Sequence, residues 1–330
     1  MRRLLTRIAP ALHLTRVTMA FSVIANTWFV ILWTRSSPRE GYHDQLSATP
    51  LWLLLGAAAM VGIGLFSFGV ALNDILDQRR DRILRPQRPI AAGQITTERA
   101  VLLVAGTMIL AILGATAFGT QAVLWTLALL GAIIVFNAAG KFVPAVGLVF
   151  LGLIYGGHML IPNLHLKFLW PVWWVMTHAL LVAAATHAMA RKVPKLSRRA
   201  VIAAFAGWLF WSGMLLWQQW KLSAPPGGAR TLWPDWVPAT AIIYPIALAL
   251  LFIFVAARRV YRHGTGPRAA QKIERYGALW LSFYACAWLL GTGHTNSGLI
   301  MTAMAAAAVI GMTVLREGYS LLEQPLGYRR

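Results

Sequence analysis

Three acidic residues with a helical spacing are the first feature of this 330-residue chain that could carry chemistry. Asp74, Asp77 and Asp81 end a long apolar run, although the whole sequence has only ten acids and none lies between Arg99 and Asp235. Positions i, i+3 and i+7 project from one face of a helix, so we expect the three carboxylates to converge on a single site. Carboxylates this close repel one another unless a cation neutralises them. Because oxygen ligands suit a hard divalent ion, the spacing predicts a Mg²⁺ site.

Arginines and prolines follow these carboxylates directly. The segment 73–93 reads NDILDQRRDRILRPQRPIAAG, in which Pro86 and Pro89 cannot continue a helix. Arg85 and Arg88 are therefore expected in an extended turn, where their planar guanidinium groups can bind phosphate oxygens. Because Mg²⁺ in proteins usually bridges one or two carboxylates to the phosphates of a substrate, the segment predicts a phosphorylated ligand.

A simpler interpretation is that the aspartates pair with neighbouring arginines at an ordinary solvated helix end. Arg79, Arg80 and Arg82 are close enough in sequence for such pairs. The scarcity of other acids and the regular spacing of the later arginines favour the ligand site over this alternative.

The composition is that of a membrane protein. Hydrophobic residues make up 58% of the sequence and charged residues 12%, and the mean hydropathy is +0.62, which is too apolar for a soluble domain. We expect an all-α fold, with one membrane domain over residues 1–330 that forms a polytopic bundle of nine or ten transmembrane helices. Each span must cross about 30 Å of hydrocarbon. The candidate segments are 14–34, 50–72, 100–118, 121–140, 142–162, 169–190, 199–219, 237–257, 276–293 and 297–315.

The formal net charge of +20 reflects membrane topology rather than nucleic-acid binding. Lys and Arg concentrate in alternate loops, which is the pattern that membrane insertion produces. With a cytoplasmic N-terminus, only five of the 30 cations face outward, namely Arg35, Arg39, Lys167, Lys221 and Arg230. We therefore expect a multi-pass protein of a bacterial-type inner membrane, with the N-terminus and the loop 73–93 on the cytoplasmic side and membrane lipid around it.

The motif in residues 73–93 resembles the first signature of the UbiA superfamily of intramembrane prenyltransferases. The resemblance rests on Asn-Asp-x-x-Asp-x-x-x-Asp followed by Arg-Pro-x-Arg-Pro-Ile-Ala-Ala-Gly. A second similarity is Phe136-Asn137-Ala-Ala-Gly-Lys141, which stands where the family often has a Tyr-Asn and a Lys after its fourth span. The resemblance implies a helical bundle around a central cavity, with Asp74, Asp77 and Asp81 as catalytic residues and metal ligands. It implies the following diphosphate contacts: Asn73, Arg85, Arg88 and Lys141.

The reaction implied by this resemblance is a Mg²⁺-dependent prenyl transfer. An isoprenyl diphosphate would bind through the metal, its allylic C–O bond would ionise, and a hydrophobic, aromatic or lipid acceptor in the membrane would capture the carbocation. An apolar cavity would keep water out of the reaction.

One departure from the family pattern leaves an alternative open. Typical members carry a second aspartate motif at the end of the sixth span, but residues 185–194 of this chain contain no acid. Arg191 and Lys192 in this segment either bind the diphosphate directly, in place of one Mg²⁺, or belong to a site that does not ionise its ligand. The alternative function is therefore a catalytically degenerate UbiA-like protein that binds or transports a prenylated lipid or metabolite. A cation-coupled transporter or a phosphatase is less consistent, because no acid lies in mid-membrane and no nucleophile accompanies the arginines.

Four further polar residues are candidates for the acceptor site or for a general base. Arg16 and Asn26 are polar groups at membrane depth, which are costly there and often functional, although Arg16 can also extend to the interface. Asn137 belongs to the second similarity. His187 lies where the second aspartate motif is missing and could deprotonate an acceptor hydroxyl, or it could be a hydrogen-bonded residue of the bundle.

Overall fold

The computed structural model describes residues 11–12, 14–16, 19–40, 44–223 and 230–323, and within them it contains helices and no strands. The predicted all-α fold is confirmed for this part of the chain. The α-helices are α1 (Phe21–Ser36), α2 (Asp44–Ala48), α3 (Leu51–Leu76), α4 (Gln78–Leu84), α5 (Thr97–Thr116), α6 (Thr120–Ala138), α7 (Pro144–Met159), α8 (Trp170–Met189), α9 (Arg198–Leu222), α10 (Ile243–His263), α11 (Pro267–Gly291) and α12 (Thr295–Glu323). Three 3-10 turns cover Pro38–Glu40, Gly140–Phe142 and Ala239–Ile242.

The chain is an integral membrane protein. Among the described residues, seven helical segments are long and apolar enough to cross a membrane: Leu51–Leu76, Thr97–Thr116, Thr120–Ala138, Trp170–Met189, Arg198–Leu222, Ala239–Arg262 and Thr295–Val314. The predicted count of nine or ten spans is not confirmed. Helices α1 and α7 have only 16 residues each, and α11 carries charged residues in its first turns. Residues 17 and 18 of the first predicted span lie outside the described residues.

Helix α1 occupies the centre of the bundle. It contacts α3, α7, α11 and α12, and nearly all of its side chains are buried. The helix carries apolar side chains on every side, as expected of a helix that contacts other helices rather than lipid or water. Helices α9 and α10 lie at the opposite extreme, because they expose large apolar side chains such as Phe205, Leu209, Leu250 and Phe254 along their length. The outer helices therefore face lipid while α1 faces protein.

A buried carboxylate fixes the C-terminal end of α1. Oε1 of Glu40 accepts hydrogen bonds from Nε1 of Trp33 at 2.6 Å and from the backbone N–H of Phe168 at 3.0 Å, and Oε2 accepts from the backbone N–H of Lys167 at 2.6 Å. Burial raises the pKa of Glu40, and the three donors oppose that shift. The segment before α8 is thereby tied to the end of α1, which helps to orient α8.

Helices α3 and α5 cross closely because each presents a glycine to the other. A Cβ added at Gly64 would lie 2.6 Å from the backbone nitrogen of Ala111, and one at Gly114 would lie 2.6 Å from the backbone oxygen of Ala57. These distances leave no room for a methyl group. Small residues at such positions let membrane helices approach each other, and this crossing supports the end of α3 that carries the aspartates.

We predict that Gly64→Ala destabilises the protein although alanine favours helices. Overpacking against the backbone of α5 costs about 1–3 kcal/mol, which exceeds the gain of roughly 1 kcal/mol from replacing a helical glycine. The measurement is the midpoint of thermal unfolding in detergent. Gly56→Ala on the same helix is the matched control, because a Cβ at Gly56 meets nothing within 4 Å. Equal midpoints for the two variants would contradict the close crossing.

Candidate functional site

The three aspartates lie where α3 ends and α4 begins. Asn73 and Asp74 belong to the last turn of α3, Asp77 is the capping residue between the helices, and Asp81 lies in α4. Asp74 and Asp81 are buried, with exposed fractions of 4% and 5%, and Asp77 is half-buried. Because a buried carboxylate without a partner is strongly unfavourable, each of these groups requires a positive neighbour or hydrogen-bond donors.

A single guanidinium nitrogen joins two of the carboxylates. Nη1 of Arg88 donates to Oδ1 of Asp74 at 2.6 Å and to Oδ2 of Asp81 at 2.7 Å. Both are short, charge-assisted hydrogen bonds. Nη2 of Arg16 lies 3.9 Å from the same Oδ1 of Asp74, so a second cation approaches from the N-terminal segment. The Nη1 atom of Arg88 thus marks a point between two buried carboxylates where positive charge is stabilised.

The loop after α4 holds Arg88 in this position. Helix α4 ends at Arg85, whose φ of −147° and ψ of 60° are not helical, in keeping with the restriction that Pro86 places on the residue before it. The backbone N–H of Arg88 donates to the carbonyl of Arg85 at 3.0 Å, which closes a turn. Ile90 then anchors the loop in a small apolar cluster. The other buried members of that cluster are Leu14, Ala71 and Ala100.

Lys141 joins the third aspartate to the neighbouring asparagine. Nζ of Lys141 donates to Oδ1 of Asn73 at 2.8 Å and to Oδ1 of Asp77 at 2.9 Å. Lys141 lies in the 3-10 turn between α6 and α7, and a Cβ at Gly147 would lie only 3.0 Å from the backbone oxygen of Gly140 in that turn. The close approach of α7 therefore fixes the turn that carries Lys141. Lys141, which the sequence similarity identified, therefore lies in the same site as the aspartates.

The expectation that all three carboxylates converge on one point is met for Asp74 and Asp81 only. The prediction from the spacing assumed one continuous helix, whereas the structure has two helices that meet at Asp77. Asp77 consequently pairs with Lys141 rather than with Arg88. In the part of the chain that the structure describes, no three side chains of His, Cys, Asp or Glu form a ready metal cage. We call Asp74 and Asp81 the carboxylate pair.

Several cations from different segments interact electrostatically with one another near the carboxylate pair. The side chains of Arg85 and Lys192 are exposed, and desolvation is the first cause that lowers the pKa of each. The positive charge of Arg88 lowers the pKa of Arg85 further. Glu274 raises the pKa of Lys192, whereas the charges of Arg85, Arg16 and Arg88 lower it. Arg16, Arg85, Arg88 and Lys192 therefore interact with one another through their charges.

The chain reverses direction at the end of α8, just before Lys192. The backbone N–H of Lys192 donates to the carbonyl of His187 at 3.2 Å, and that of Arg191 donates to the carbonyl of Ala188 at 3.2 Å. This pair of bonds is a Schellman-type helix end, which requires a left-handed residue. Arg191 occupies that position with a φ of 49°, a conformation that is unfavourable by about 1–2 kcal/mol for a residue other than glycine. Unfavourable backbone conformations of this kind cluster at functional sites.

Glu274 is a residue of this region that the sequence reasoning missed. It interacts electrostatically with Lys192 and with Tyr155 of α7. It lies on α11, one turn before Gly277, whose carbonyl accepts a hydrogen bond from Nε2 of His178 on α8 at 3.0 Å. A signal for it exists in the sequence, because Glu274 is the sole acid among six cations between residues 258 and 275.

Two of the remaining candidate residues donate hydrogen bonds to backbone carbonyls, and a third has a buried amide nitrogen with no hydrogen-bond partner among the described residues. Nδ2 of Asn137 donates to the carbonyls of Gly69 and Ile133, both at 3.1 Å, and so joins α6 to α3. Nε2 of His187 donates to the carbonyl of Pro194 at 2.9 Å and braces the loop after α8. Nδ2 of Asn26 is buried in α1 and has no hydrogen-bond partner among the described residues. Contact between these residues and an acceptor stays a prediction.

No protein-family model matches the sequence, and no curated protein has a sequence that matches it. A structure of digeranylgeranylglyceryl phosphate synthase resembles the chain with a TM-score of 0.53 at 18% identity, over 87% of this chain and 98% of that chain. A UbiA homologue from Aeropyrum pernix K1 has a TM-score of 0.43 at 17% identity, over 89% and 96%. A UbiA homologue from Archaeoglobus fulgidus bound to GPP and Mg²⁺ has a TM-score of 0.42 at 15% identity, over 92% and 99%. The chain shares the fold of the synthase.

We predict that Lys141→Met lowers the stability of the ligand-free protein by about 2–3 kcal/mol, because the carboxylate of Asp77 loses a charged donor. Adding Asp77→Asn should restore part of the loss, since the unpaired charge disappears with it. Thermal unfolding of the two single variants and the double variant measures this coupling.

The exposed ion pair between Arg39 and Asp235 is the matched control. Its charged atoms lie 3.0 Å apart, but its side chains are 61% and 55% exposed, so Arg39→Gln should cost less than about 1 kcal/mol. Strictly additive effects of Lys141→Met and Asp77→Asn would show that the Lys141 pair contributes nothing specific.

Proposed function

We propose that this protein is a UbiA-type prenyltransferase, which transfers the prenyl group of an isoprenyl diphosphate to a hydrophobic or aromatic acceptor within the membrane. The observation that carries the proposal is the position of Nη1 of Arg88, at 2.6 Å and 2.7 Å from two buried carboxylates. This position stabilises a positive charge, and Arg16, Arg85 and Lys192 add further positive charge near it. A metal ion bound to a diphosphate needs both features, which a solvated helix end does not provide.

The carboxylate pair fits Mg²⁺ as a cofactor. Mg²⁺ is typically held by one or two carboxylates together with waters and substrate phosphates, so it does not need a complete protein cage. Asp74 and Asp81 would hold the ion where Arg88 now donates, and Asp77 would complete the proposed set of ligands. When bound, Mg²⁺ supplies Lewis-acid stabilisation of the negative charge on the diphosphate. The metal-ligand set proposed from the sequence is therefore kept, with Asp74 and Asp81 as its best supported members.

The side chains around the pair would bind and stabilise the diphosphate. Arg85 and Arg88 offer planar forks, whereas Lys141 and Lys192 offer point charges. Arg191 and Asn73 complete the proposed set of diphosphate contacts. As the allylic C–O bond breaks, its electron pair leaves with the diphosphate, and these cations stabilise the developing charge more than the ground state.

The acceptor then forms a bond to the prenyl carbon and releases a proton. An apolar bundle that excludes water protects the carbocation until this step. Arg16, Asn26, Asn137 and His187 are the proposed acceptor contacts, with His187 as the proposed base. We place the site on the cytoplasmic side of a bacterial-type inner membrane, because the loop 73–93 and the other cation-rich loops share one side. The whole chain, residues 1–330, is proposed to form one membrane domain of nine or ten spans around a central cavity.

A second function is favoured by one observation. Residues 185–194 contain no acid, so the end of α8 and the loop after it offer no carboxylate as a metal ligand. A protein with this segment could bind or transport a prenylated lipid or metabolite without breaking the C–O bond. The two functions differ in whether diphosphate is released.

The purified protein with Mg²⁺ and labelled geranylgeranyl or farnesyl diphosphate distinguishes them. The acceptors to supply are aromatic acids, quinone precursors, chlorophyll-like rings and glycerol phosphate lipids. A prenylated product together with free diphosphate supports the transferase. Tight binding without diphosphate release for any acceptor supports the binding or transport protein and overturns the transferase.

We predict that the double variant Asp74→Asn, Asp77→Asn abolishes Mg²⁺-dependent diphosphate binding while the protein stays folded in the membrane. The variant keeps the shapes of the side chains and removes two of the negative charges that a metal requires. Isothermal titration with a non-hydrolysable thiolo-diphosphate analogue measures the binding. Asp235→Asn, a change of the same kind far from the loop 73–93, is the control. Unchanged binding in the double variant would refute the metal assignment.

We predict that Arg88→Gln has opposite effects on the two ligands. Without diphosphate, the freed carboxylate pair should bind Mn²⁺, a spectroscopic probe for Mg²⁺, about 10- to 100-fold more tightly, since a charge-assisted hydrogen bond is worth ~1.5–3 kcal/mol. Diphosphate binding in the presence of Mg²⁺ should weaken by a similar factor, because one phosphate contact is lost. Electron paramagnetic resonance of Mn²⁺ and analogue titration provide the two readouts. The control is Arg82→Gln, an exposed arginine of α4; a loss of both affinities in Arg88→Gln would contradict the exchange of partners.

A further inference from the structure

A polar cavity lies at the end of the bundle opposite the carboxylate pair. Its volume is about 500 Å³, which is within the usual range of ligand sites. Helix α1 ends here, and α3 begins beside it, since Nε1 of Trp28 donates to the carbonyl of Leu55 at 2.9 Å. Helix α3 has 26 residues and is therefore about 39 Å long, so it separates the cavity from the aspartates at its other end. The lining includes Trp33, Arg39, Asp235, Trp236, Thr292 and His294.

One cation and one anion line this cavity. Nη1 of Arg39 lies 3.0 Å from Oδ2 of Asp235, and both side chains are more than half exposed. Because an exposed ion pair is worth little, each group can exchange its partner for a ligand at small cost. Desolvation lowers the pKa of His294, so its ring is uncharged at neutral pH. The charges of the lining therefore sum to zero, and they come from two different segments of the chain.

Hydrogen bonds hold the two segments that carry these charges. The buried carboxylate of Glu40, in the same 3-10 turn as Arg39, accepts three hydrogen bonds. Nζ of Lys167 donates to the carbonyl of Arg39 at 2.9 Å, which fixes the backbone of that residue. Nε1 of Trp233 donates at 2.7 Å to the backbone carbonyl four residues later, which closes the loop around Asp235. Both charged side chains thus project from braced backbone, so less conformational entropy is lost when a ligand binds.

Tryptophans supply the apolar part of the lining. The ring of Trp33 lies edge-on to that of His294, with centroids 5.2 Å apart. Nε1 of Trp236 is buried and has no hydrogen-bond partner among the described residues. A buried donor without an acceptor is unfavourable, and an anionic oxygen in the cavity would supply the missing acceptor. Because indole faces also attract ammonium groups, this lining suits a ligand that carries both kinds of charge.

We propose that the cavity binds a zwitterion with a phosphate and an ammonium group, the combination found in the headgroup of phosphatidylethanolamine. The guanidinium group of Arg39 binds the phosphate, and the carboxylate of Asp235 binds the ammonium group. A purely anionic ligand is repelled by Asp235 and a purely cationic one by Arg39. A membrane offers this chemistry at the position of the cavity, since headgroups and tryptophans meet at the ends of membrane helices. The site is independent of the proposed prenyl transfer.

The test is the binding of short-chain lipids to the full-length protein in a polyoxyethylene detergent, measured by native mass spectrometry. Dihexanoyl phosphatidylethanolamine should bind about tenfold more tightly than dihexanoyl phosphatidylglycerol, which has the phosphate but lacks the ammonium group and its charge-assisted contact. Asp235→Asn should remove this preference. Arg39→Gln should weaken the binding of both lipids, because both lose the phosphate contact. Trp236→Phe should also weaken both, but by less than about tenfold, since it removes a neutral donor and keeps an aromatic ring.

Two control variants match the changes of charge. Arg230→Gln changes an exposed cation that packs on Trp220 near the same end of the bundle, and Glu98→Gln changes an exposed acid in the first turn of α5. Both controls should keep the wild-type preference between the lipids. Without lipid, Arg39→Gln and Asp235→Asn should unfold at the same temperature as the wild type, because the ion pair is exposed. A change in lipid binding then reports on the site and not on folding.

Free phosphoethanolamine identifies the source of the ligand. If the lipid binds more tightly than free phosphoethanolamine, the cavity takes a lipid headgroup, and if the two bind equally, it takes a soluble zwitterion; both results support the ligand chemistry. Equal binding of the two lipids by the wild type, or an unchanged preference in Asp235→Asn, would overturn the proposal. Displacement of phosphatidylethanolamine by octyl glucoside, as effective as displacement by phosphoethanolamine, would identify a site for neutral sugars and would overturn it as well.

Discussion

The bonds from Nη1 of Arg88 to Asp74 and Asp81 are the interaction on which the rest of the site depends. Two buried carboxylates at the end of an apolar helix are tolerated because one guanidinium group lies between them at 2.6 Å and 2.7 Å. The surrounding loop keeps the guanidinium there, since its turn is closed by backbone hydrogen bonds and Ile90 anchors it in an apolar cluster. Fold and site are therefore coupled through one side chain.

This arrangement also sets how a ligand enters. The carboxylates are already desolvated and already paired, so the proposed binding of a metal and an anion would exchange charged partners instead of stripping water from free ones. Lys141 holds Asp77 and Asn73 in a second pair of the same kind. Without ligand, Arg88 and Lys141 pair with aspartates. With ligand, their proposed partners are phosphate oxygens.

Much of this organisation could be predicted from sequence. The apolar segments, the aspartates and the Arg-Pro spacing identified the all-α fold and the residues of the site, because helix periodicity and proline stops act locally. The division of the segment at Asp77 could not be predicted, since the spacing of the three aspartates suits one helix as well as two. The place of Glu274 was equally hidden. Its neighbours Lys192 and Tyr155 are distant in sequence, and only the antiparallel packing of α11 on α8 brings them near.

The short length of the central helix has a consequence for the protein in different membranes. With 16 residues, α1 is about 24 Å long, which is less than the hydrocarbon thickness of a typical bilayer. Because α1 is enclosed by other helices, it does not have to match the lipid around it. Changes of bilayer thickness act on the outer helices α9 and α10, which can tilt to accommodate the mismatch. The packing around α1 is thereby less sensitive to the thickness of the host membrane than the packing of α9 and α10.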